Sequence, residues 1–376
     1  MASTSSTRPS VLRRTISLPA PRRKRVLGFV AATVVAAAAA LAVGMWLSGN
    51  LTETKINGMV IGGTGDLTSW GLAASKLVMD MSAIGVIGLL LARLLLPDQD
   101  PQAADTAQRC LRTAAKLGVA WCVSSGALLL FSWSTVVAAP VTELPILELF
   151  TDTRATFPDA AEYVSTTALA LVIAAGLHLT QTRLGAWIML PLAIYNLVPM
   201  ALQGHASHGE VLKYSLIAHV IAMALWVGGL IALLTHVRKQ PTLLAVAVPR
   251  FSTVALFCYI SVAASGLVAA WNLIGSFSAV WGSRYGVVVT LKVAALITLG
   301  IFGWWHRRHT VRQIRAGEGD RARKAFIRLA AAEIIVMVVA VALAVALSRS
   351  ASPDTIELHS LLAAPTDTIS STTWRI

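Results

Sequence analysis

From Val26 to Ser48 the chain reads VLGFVAATVVAAAAALAVGMWLS, without a single charged side chain. A run of this kind leaves few structural options. About 20 consecutive apolar residues cross the hydrocarbon core of a bilayer as an α-helix, and in lipid a helix satisfies its backbone amides within one segment. Nine such stretches occur, near 26–48, 70–96, 117–139, 161–180, 184–202, 211–235, 251–275, 285–305 and 326–348. A membrane barrel would show short alternating strands instead, and these runs do not alternate. The sequence predicts an all-α, polytopic membrane bundle of about nine transmembrane helices.

Composition agrees, with 56% hydrophobic and only 13% charged residues, against roughly 25% charged in soluble domains. A net charge of +13 would point to nucleic acid in a soluble chain. In a membrane protein the basic excess belongs to cytoplasmic loops, so lipid is the expected partner and nucleic acid is not. The first run exceeds the roughly 7–15 residues of a signal-peptide core, and it reads as an uncleaved first span despite Arg13-Arg14 before it. Cys110, Cys122 and Cys258 are far apart, and without a C-x-x-C pair they support neither a zinc site nor a redox motif. No Gly-rich phosphate loop is present.

Basic residues orient the set. With the N-terminus in the cytoplasm, the inner segments collect Arg22, Arg23, Lys24 and Arg25, then Arg109, Arg112 and Lys116, then Arg183, then Arg238, Lys239 and Arg250. The last inner loop adds Arg307, Arg308, Arg312, Arg315, Arg321, Arg323, Lys324 and Arg328. The segment holding Glu143, Glu148, Asp152, Asp159 and Glu162 is then exterior. The positive-inside rule thus gives a cytoplasmic N-terminus and an exterior C-terminus. The expected divisions are a basic tail at 1–25, a three-helix segment at 26–139, an exterior loop at 140–160, a six-helix segment at 161–348 and an exterior tail at 349–376. "TELPILELF", within the loop, reads either as a short surface helix or as an ordered loop.

Each ionisable group inside a span costs roughly 2.5–3.5 kcal/mol on insertion scales. Counting about 1.5 Å per residue from the outer helix ends, His219 lies about 12 Å deep, Lys292 about 11 Å and Asp80 about 15 Å, with Lys76 one turn above Asp80. These four groups on three helices fall in one layer. Lys76 and Asp80, spaced i, i+4, can neutralise each other on one helix face, and Lys292 offers Asp80 a partner from another helix. That is a structural reading. The functional one is a metal route. Imidazole is the commonest side-chain ligand of transition metals, and thioether sulfur favours Cu(I).

His205 and His208 stand above the membrane at i and i+3. Met223 follows His219 by one turn, and Met79 and Met81 flank Asp80. The candidate metal ligands are therefore His205, His208, His219, Met223, Asp80, Met79 and Met81, with Lys76, Asp80 and Lys292 as an intramembrane ion-pairing set and a copper ion as the cargo. His178 differs in depth from His219, so the pair does not suit a bis-histidine haem. His236, His306 and His309 adjoin basic residues and read as interfacial. Glu333, with Met337 one turn on, reads either as an exit ligand or proton acceptor, or as a buried carboxyl that is hydrogen-bonded or protonated.

The second half of the chain resembles the CopD copper-resistance family of bacterial inner-membrane proteins. The matching pieces are "HVIAMALWVGGLIAL", with His219, Trp226, Gly228 and Gly229, then "RFSTVALFCYISVAASGLVAAW". "SRYGVVVTLKVAAL" follows, with Tyr285, Gly286 and Lys292, and then "FIRLAAAEIIVMVVAVALAVALSRSASP". They cover roughly 203–353. Ser283-Arg284 stands where the family often has Thr-Pro, and Ser352-Pro353 where it often has Pro-Pro. The first three spans resemble those of long actinobacterial forms, in which a cytochrome oxidase assembly domain follows. The resemblance implies a protein of the bacterial cytoplasmic membrane that moves copper, inward, or delivers it to a partner. That partner would be a periplasmic copper chaperone or an oxidase assembly protein, and no enzymatic activity is expected. A proton-coupled carrier of another solute, built on Asp80, Lys76 and Lys292, is the remaining alternative. The resemblance does not assign ligands; those come from depth and donor chemistry.

Overall fold

The computed structural model describes residues 33–43, 46, 54–56, 59–61, 65–98, 100–144, 157, 160–199, 210–273, 284–305, 308 and 319–347. Among them are nine α-helices. α1 is Thr33–Val43, α2 Gly65–Leu95, α3 Pro101–Val137, α4 Ala160–Leu179 and α5 Arg183–Tyr195. α6 is Glu210–Ala232 and continues into a π-helical turn, Leu233–Val237. α7 is Pro241–Leu273, α8 Arg284–Trp305 and α9 Gly319–Leu347. Between α1 and α2 lies an antiparallel hairpin of β1, Thr54–Ile56, and β2, Met59–Ile61, paired Thr54 to Ile61 and Ile56 to Met59. No strand was expected there, yet Asn57-Gly58 between the two is the dipeptide with the strongest hairpin preference.

The helices fall on the nine apolar stretches. Five of them, the candidate spans Gly65–Leu95, Pro101–Val137, Ala160–Leu179, Glu210–Val237 and Pro241–Val268, are long and apolar enough to cross a membrane among the described residues. α1 and α5 are shorter apolar helices. Of the 140–160 loop, Val141–Glu143 forms one 3-10 turn, and 145–150 lie outside the described residues. Large apolar side chains such as Val123, Leu171, Phe257, Ile260 and Ile301 are exposed on the outside of the bundle, the pattern of helices surrounded by lipid, where the exterior is as apolar as the interior.

α3 starts sooner than its apolar run. Asp100 caps it, with extended backbone and a side chain that accepts from the Gln102 amide at 2.8 Å, and Pro101 supplies a first residue pre-set for helix. Over 101–116 the helix is amphipathic. Ala103, Thr106, Ala107, Cys110, Leu111, Ala114 and Ala115 are buried, while Asp105, Arg109, Arg112 and Lys116 are exposed. Hydropathy sees only the part in lipid; the stripe at i, i+3, i+4 and i+7 carries the helix beyond it. α7 is likewise extended to Pro241, through Leu243, Leu244, Ala247 and Val248, all buried.

α2 is the centre of the bundle. It packs on α3 and α6 most extensively and also on α5, α7 and α9, and it is the most buried of the five spans. One continuous core joins these helices, with Ile87, Leu90, Leu111, Ile173, Val227, Leu233, Leu243 and Ile334 among its members. A smaller cluster of Leu41, Ala73, Ala342 and Val345 binds α1, α2 and α9.

Candidate functional site in the membrane interior

α2 and α6 meet backbone to backbone at Gly88 and Gly228. A Cβ on Gly88 would lie 2.0 Å from the Gly228 carbonyl carbon, and one on Gly228 would lie 2.1 Å from the Ile84 oxygen. Only glycine fits such a crossing, and close approach of small residues is what holds helices together in lipid. The crossing also sets relative depth. Thr68 of α2 bonds Ser134 near the end of α3, and Thr106 and Thr113 near the start of α3 bond Gln240 and His236 just past α6, so α2 and α6 run in the same direction. From the glycine contact Asp80 and His219 lie about 12 and about 13.5 Å back toward their N-terminal ends. Two of the sequence-predicted ligands thus share a level.

Their contacts go to different helices. Lys76 Nζ donates to Asp80 Oδ1 at 2.6 Å within α2, with both side chains about a quarter exposed. His219 lies on the side of α6 turned about 180° from Gly228, and its Nδ1 is 2.8 Å from Ser265 Oγ of α7. A second bond, Ser215 Oγ to the Ser265 carbonyl at 3.3 Å, ties the same two helices. Met223, one turn along from His219, is half-buried against the main core. Met79 is buried and Met81 half-buried, and both pack on that core. Consecutive residues turn by about 100° on a helix, so Met79, Asp80 and Met81 do not share one face.

The Ser265 hydroxyl anchors the His219 ring through Nδ1. Ser265 Oγ is also 2.9 Å from the Val262 carbonyl, to which it can donate; in that arrangement the Nδ1–H of His219 donates to the hydroxyl. Metal-ligating histidines are commonly anchored in this way through their other nitrogen. Ser265 was not singled out from sequence, because serines in membrane helices ordinarily satisfy themselves on the preceding turn and nothing in the local pattern marks this one.

His205 and His208 lie outside the described residues. Lys292 belongs to α8, but its side chain lies outside them too. Among the described residues no three His, Cys, Asp or Glu side chains are grouped to hold a metal. His178 faces its own Ala174 carbonyl through Nδ1 at 2.9 Å. His236, in the π turn, meets Thr113 at 3.1 Å and Thr235 at 2.8 Å.

At the other end of α2 a cluster of charge closes the helix. Arg250 donates to the Leu95 carbonyl at 2.7 Å and Arg183 to that of Leu94 at 3.4 Å. Asp98 bridges Arg183 and Arg93. Cations at the final carbonyls complement both the unpaired acceptors and the helix dipole. Desolvation pushes the Asp98 carboxyl up, but its hydrogen bonds to Arg183 and Arg93 and their charges outweigh this and hold it below the ordinary carboxylate range.

Two family models match the chain. Copper resistance protein D matches residues 245–347, and Copper resistance protein D-like, N-terminal domain, matches residues 67–214. The likeness therefore extends far ahead of residue 203, through α2 to α5, where the sequence reading had found only general similarity to long forms. Asp80, His205 and His208 fall within the first-half match and Lys292 and Glu333 within the second, while His219, Met223 and Gly228 lie between the two. No curated protein and no solved structure matches the chain.

Proposed function

The chain belongs to the copper resistance protein D family, and from that premise we propose that this copper-related, multi-pass membrane protein carries copper across the bacterial cytoplasmic membrane, inward. His205 and His208 meet the ion on the exterior side. His219 Nε2 and the Met223 thioether receive it within the bundle, and Asp80 contributes negative charge at the same level. The N-terminus is cytoplasmic and the C-terminus exterior, as the distribution of arginine and lysine requires. Imidazole serves both copper oxidation states and thioether favours Cu(I), so this donor pair accepts the ion in either form.

The observation that carries the reading is the hydrogen-bond chain from His219 Nδ1 through Ser265 Oγ to the Val262 carbonyl. A membrane interior has no solvent to orient an imidazole. Here a neighbouring helix does so through Nδ1.

The test is copper content and copper flux of the purified, reconstituted protein. Wild type binds copper and takes it up; His219→Ala loses bound copper and flux together, while the double variant His205→Ala with His208→Ala slows uptake and keeps bound copper. Copper lost only in the loop double variant would remove the intramembrane site. Copper bound without flux in wild type would make the protein a delivery or assembly factor instead of a carrier.

A further inference from the structure

Glu333 lies on α9 with 5% of its surface exposed, among Ala330, Ile334, Met337 and Val338, which are all buried in the main core. Its Oε1 is buried and has no hydrogen-bond partner among the described residues. Native structures leave few buried polar atoms in that condition, and a carboxyl oxygen is the most costly of them to leave so.

The packing also gives its depth. Ala73 of α2 and Ala342 of α9 share the small cluster with Leu41 and Val345, and the two helices run antiparallel from there. At about 1.5 Å per residue, Asp80 lies about 10 Å from that contact and Glu333 about 13 Å, in the same direction. With His219 level with Asp80 across the glycine crossing, three titratable groups on α2, α6 and α9 occupy a slab about 5 Å deep.

Among the described residues, no cation answers Glu333. α9 packs on α2, α6, the π turn and α8. α2 carries Asp66, Lys76, Asp80 and Arg93; Lys76 is held by Asp80 and Arg93 by Asp98. α6 carries Glu210, Lys213 and His219; Lys213 lies 3.7 Å from Glu210, and His219 is bonded to Ser265. His236 of the π turn is bonded to Thr113 and Thr235. α8 carries Arg284 and Lys292, and α9 itself carries Asp320, Arg321, Arg323, Lys324 and Arg328 near its start. No ion pair or hydrogen bond to Glu333 is formed among the described residues. An unpaired carboxylate in a dry interior is strongly unfavourable, and a bound proton avoids that cost.

We propose that Glu333 is a proton-exchange site for the copper route: it holds a proton while the slab is empty and releases it when a monovalent copper ion arrives. The exchange is balanced. The carboxyl O–H bond breaks, the proton leaves to water, and the carboxylate that remains neutralises the incoming cation, whose oxidation state does not change. Copper entry is thereby coupled to proton movement in the opposite direction. This inference rests on the copper-transport reading, which it deepens.

The test uses the full chain in liposomes with a pH-sensitive dye, with silver as a redox-inert stand-in for Cu(I), together with infrared difference spectra of the purified protein. Wild type is expected to show a protonated-carboxyl band that silver diminishes, and silver uptake accompanied by proton movement. Glu333→Gln is expected to lack the band and the proton signal. Silver uptake with undiminished proton movement in Glu333→Gln would overturn the proposal. Absence of silver uptake by wild type sinks the transport reading alone, and the band then decides: one that Glu333→Gln removes and silver diminishes supports exchange, and one that neither alters overturns it. If Glu333→Gln does not fold, the response of the wild-type band to silver carries the test by the same criterion.

Discussion

The imidazole of His219 and the hydroxyl of Ser265 stand 2.8 Å apart across the α6–α7 interface, and the hydroxyl also reaches the Val262 carbonyl at 2.9 Å. Removing the hydroxyl takes away the Nδ1 anchor that α7 supplies. Loss of such a supporting partner ordinarily costs about 10–100-fold in metal affinity. Ser265→Ala should weaken copper binding by that order while the protein remains folded, and Ser265→Thr should keep most of the affinity. Competition with a colorimetric Cu(I) chelator measures both; equal affinity in wild type and Ser265→Ala would separate His219 from copper.

Lys76 and Asp80 distinguish pairing from transport. Breaking a desolvated pair leaves an uncompensated charge, whereas replacing both partners by apolar groups is often neutral. Lys76→Leu alone should lower the unfolding temperature, and Lys76→Leu with Asp80→Leu should recover it. If Asp80 also serves the cation, the stable double variant will still lose copper flux. Normal flux in that variant would leave the pair a purely structural role.

The glycine crossing predicts a steric failure. Overpacking a tight contact costs about 1–3 kcal/mol, and the added carbon at Gly88 or Gly228 would meet backbone, which yields less than a side chain. Gly88→Ala and Gly228→Ala should each reduce thermal stability in detergent. Gly303, where an added Cβ would meet nothing within 4 Å, supplies the control: Gly303→Ala should be near neutral. Similar losses at all three positions would count against the crossing.

Asp98 gives a pH dependence with a definite sign. Its carboxyl sits below the ordinary range in the folded protein, so it contributes stability that is fully present above the unfolded carboxylate value, about pH 4. That contribution disappears as pH falls through the lower, folded value. Wild type should therefore unfold at a higher temperature than Asp98→Asn near neutrality, with the difference closing only under acid conditions. A gap that widened on acidification would contradict the Arg93–Asp98–Arg183 bridge.

Much of this protein was legible in its sequence because lipid imposes few solutions. A run as apolar as that around Leu89 and Leu90 must be helical, and the charged residues between runs mark where helices leave the hydrocarbon. Ionisable groups at Asp80, His219 and Glu333 stood out for the same reason: in a greasy segment a polar atom has to be explained. Helix starts were less legible. α3 begins at Asp100 and Pro101 through an amphipathic stripe that average hydropathy does not register, and the hairpin at 54–61 depends on a turn dipeptide too short to compete with the long apolar runs.

What the sequence by itself determined was the set of helices and the donor atoms each one carries, since the helices follow from transfer free energy along a single chain and the donors are read directly from it. Only the tertiary structure decided which faces meet. It put Gly88 against Gly228, turned His219 toward Ser265 and away from that crossing, and left Glu333 Oε1 in the core without a partner among the described residues. Rotation of one helix against another is set by packing between residues far apart in the chain, and no periodicity within one segment encodes it.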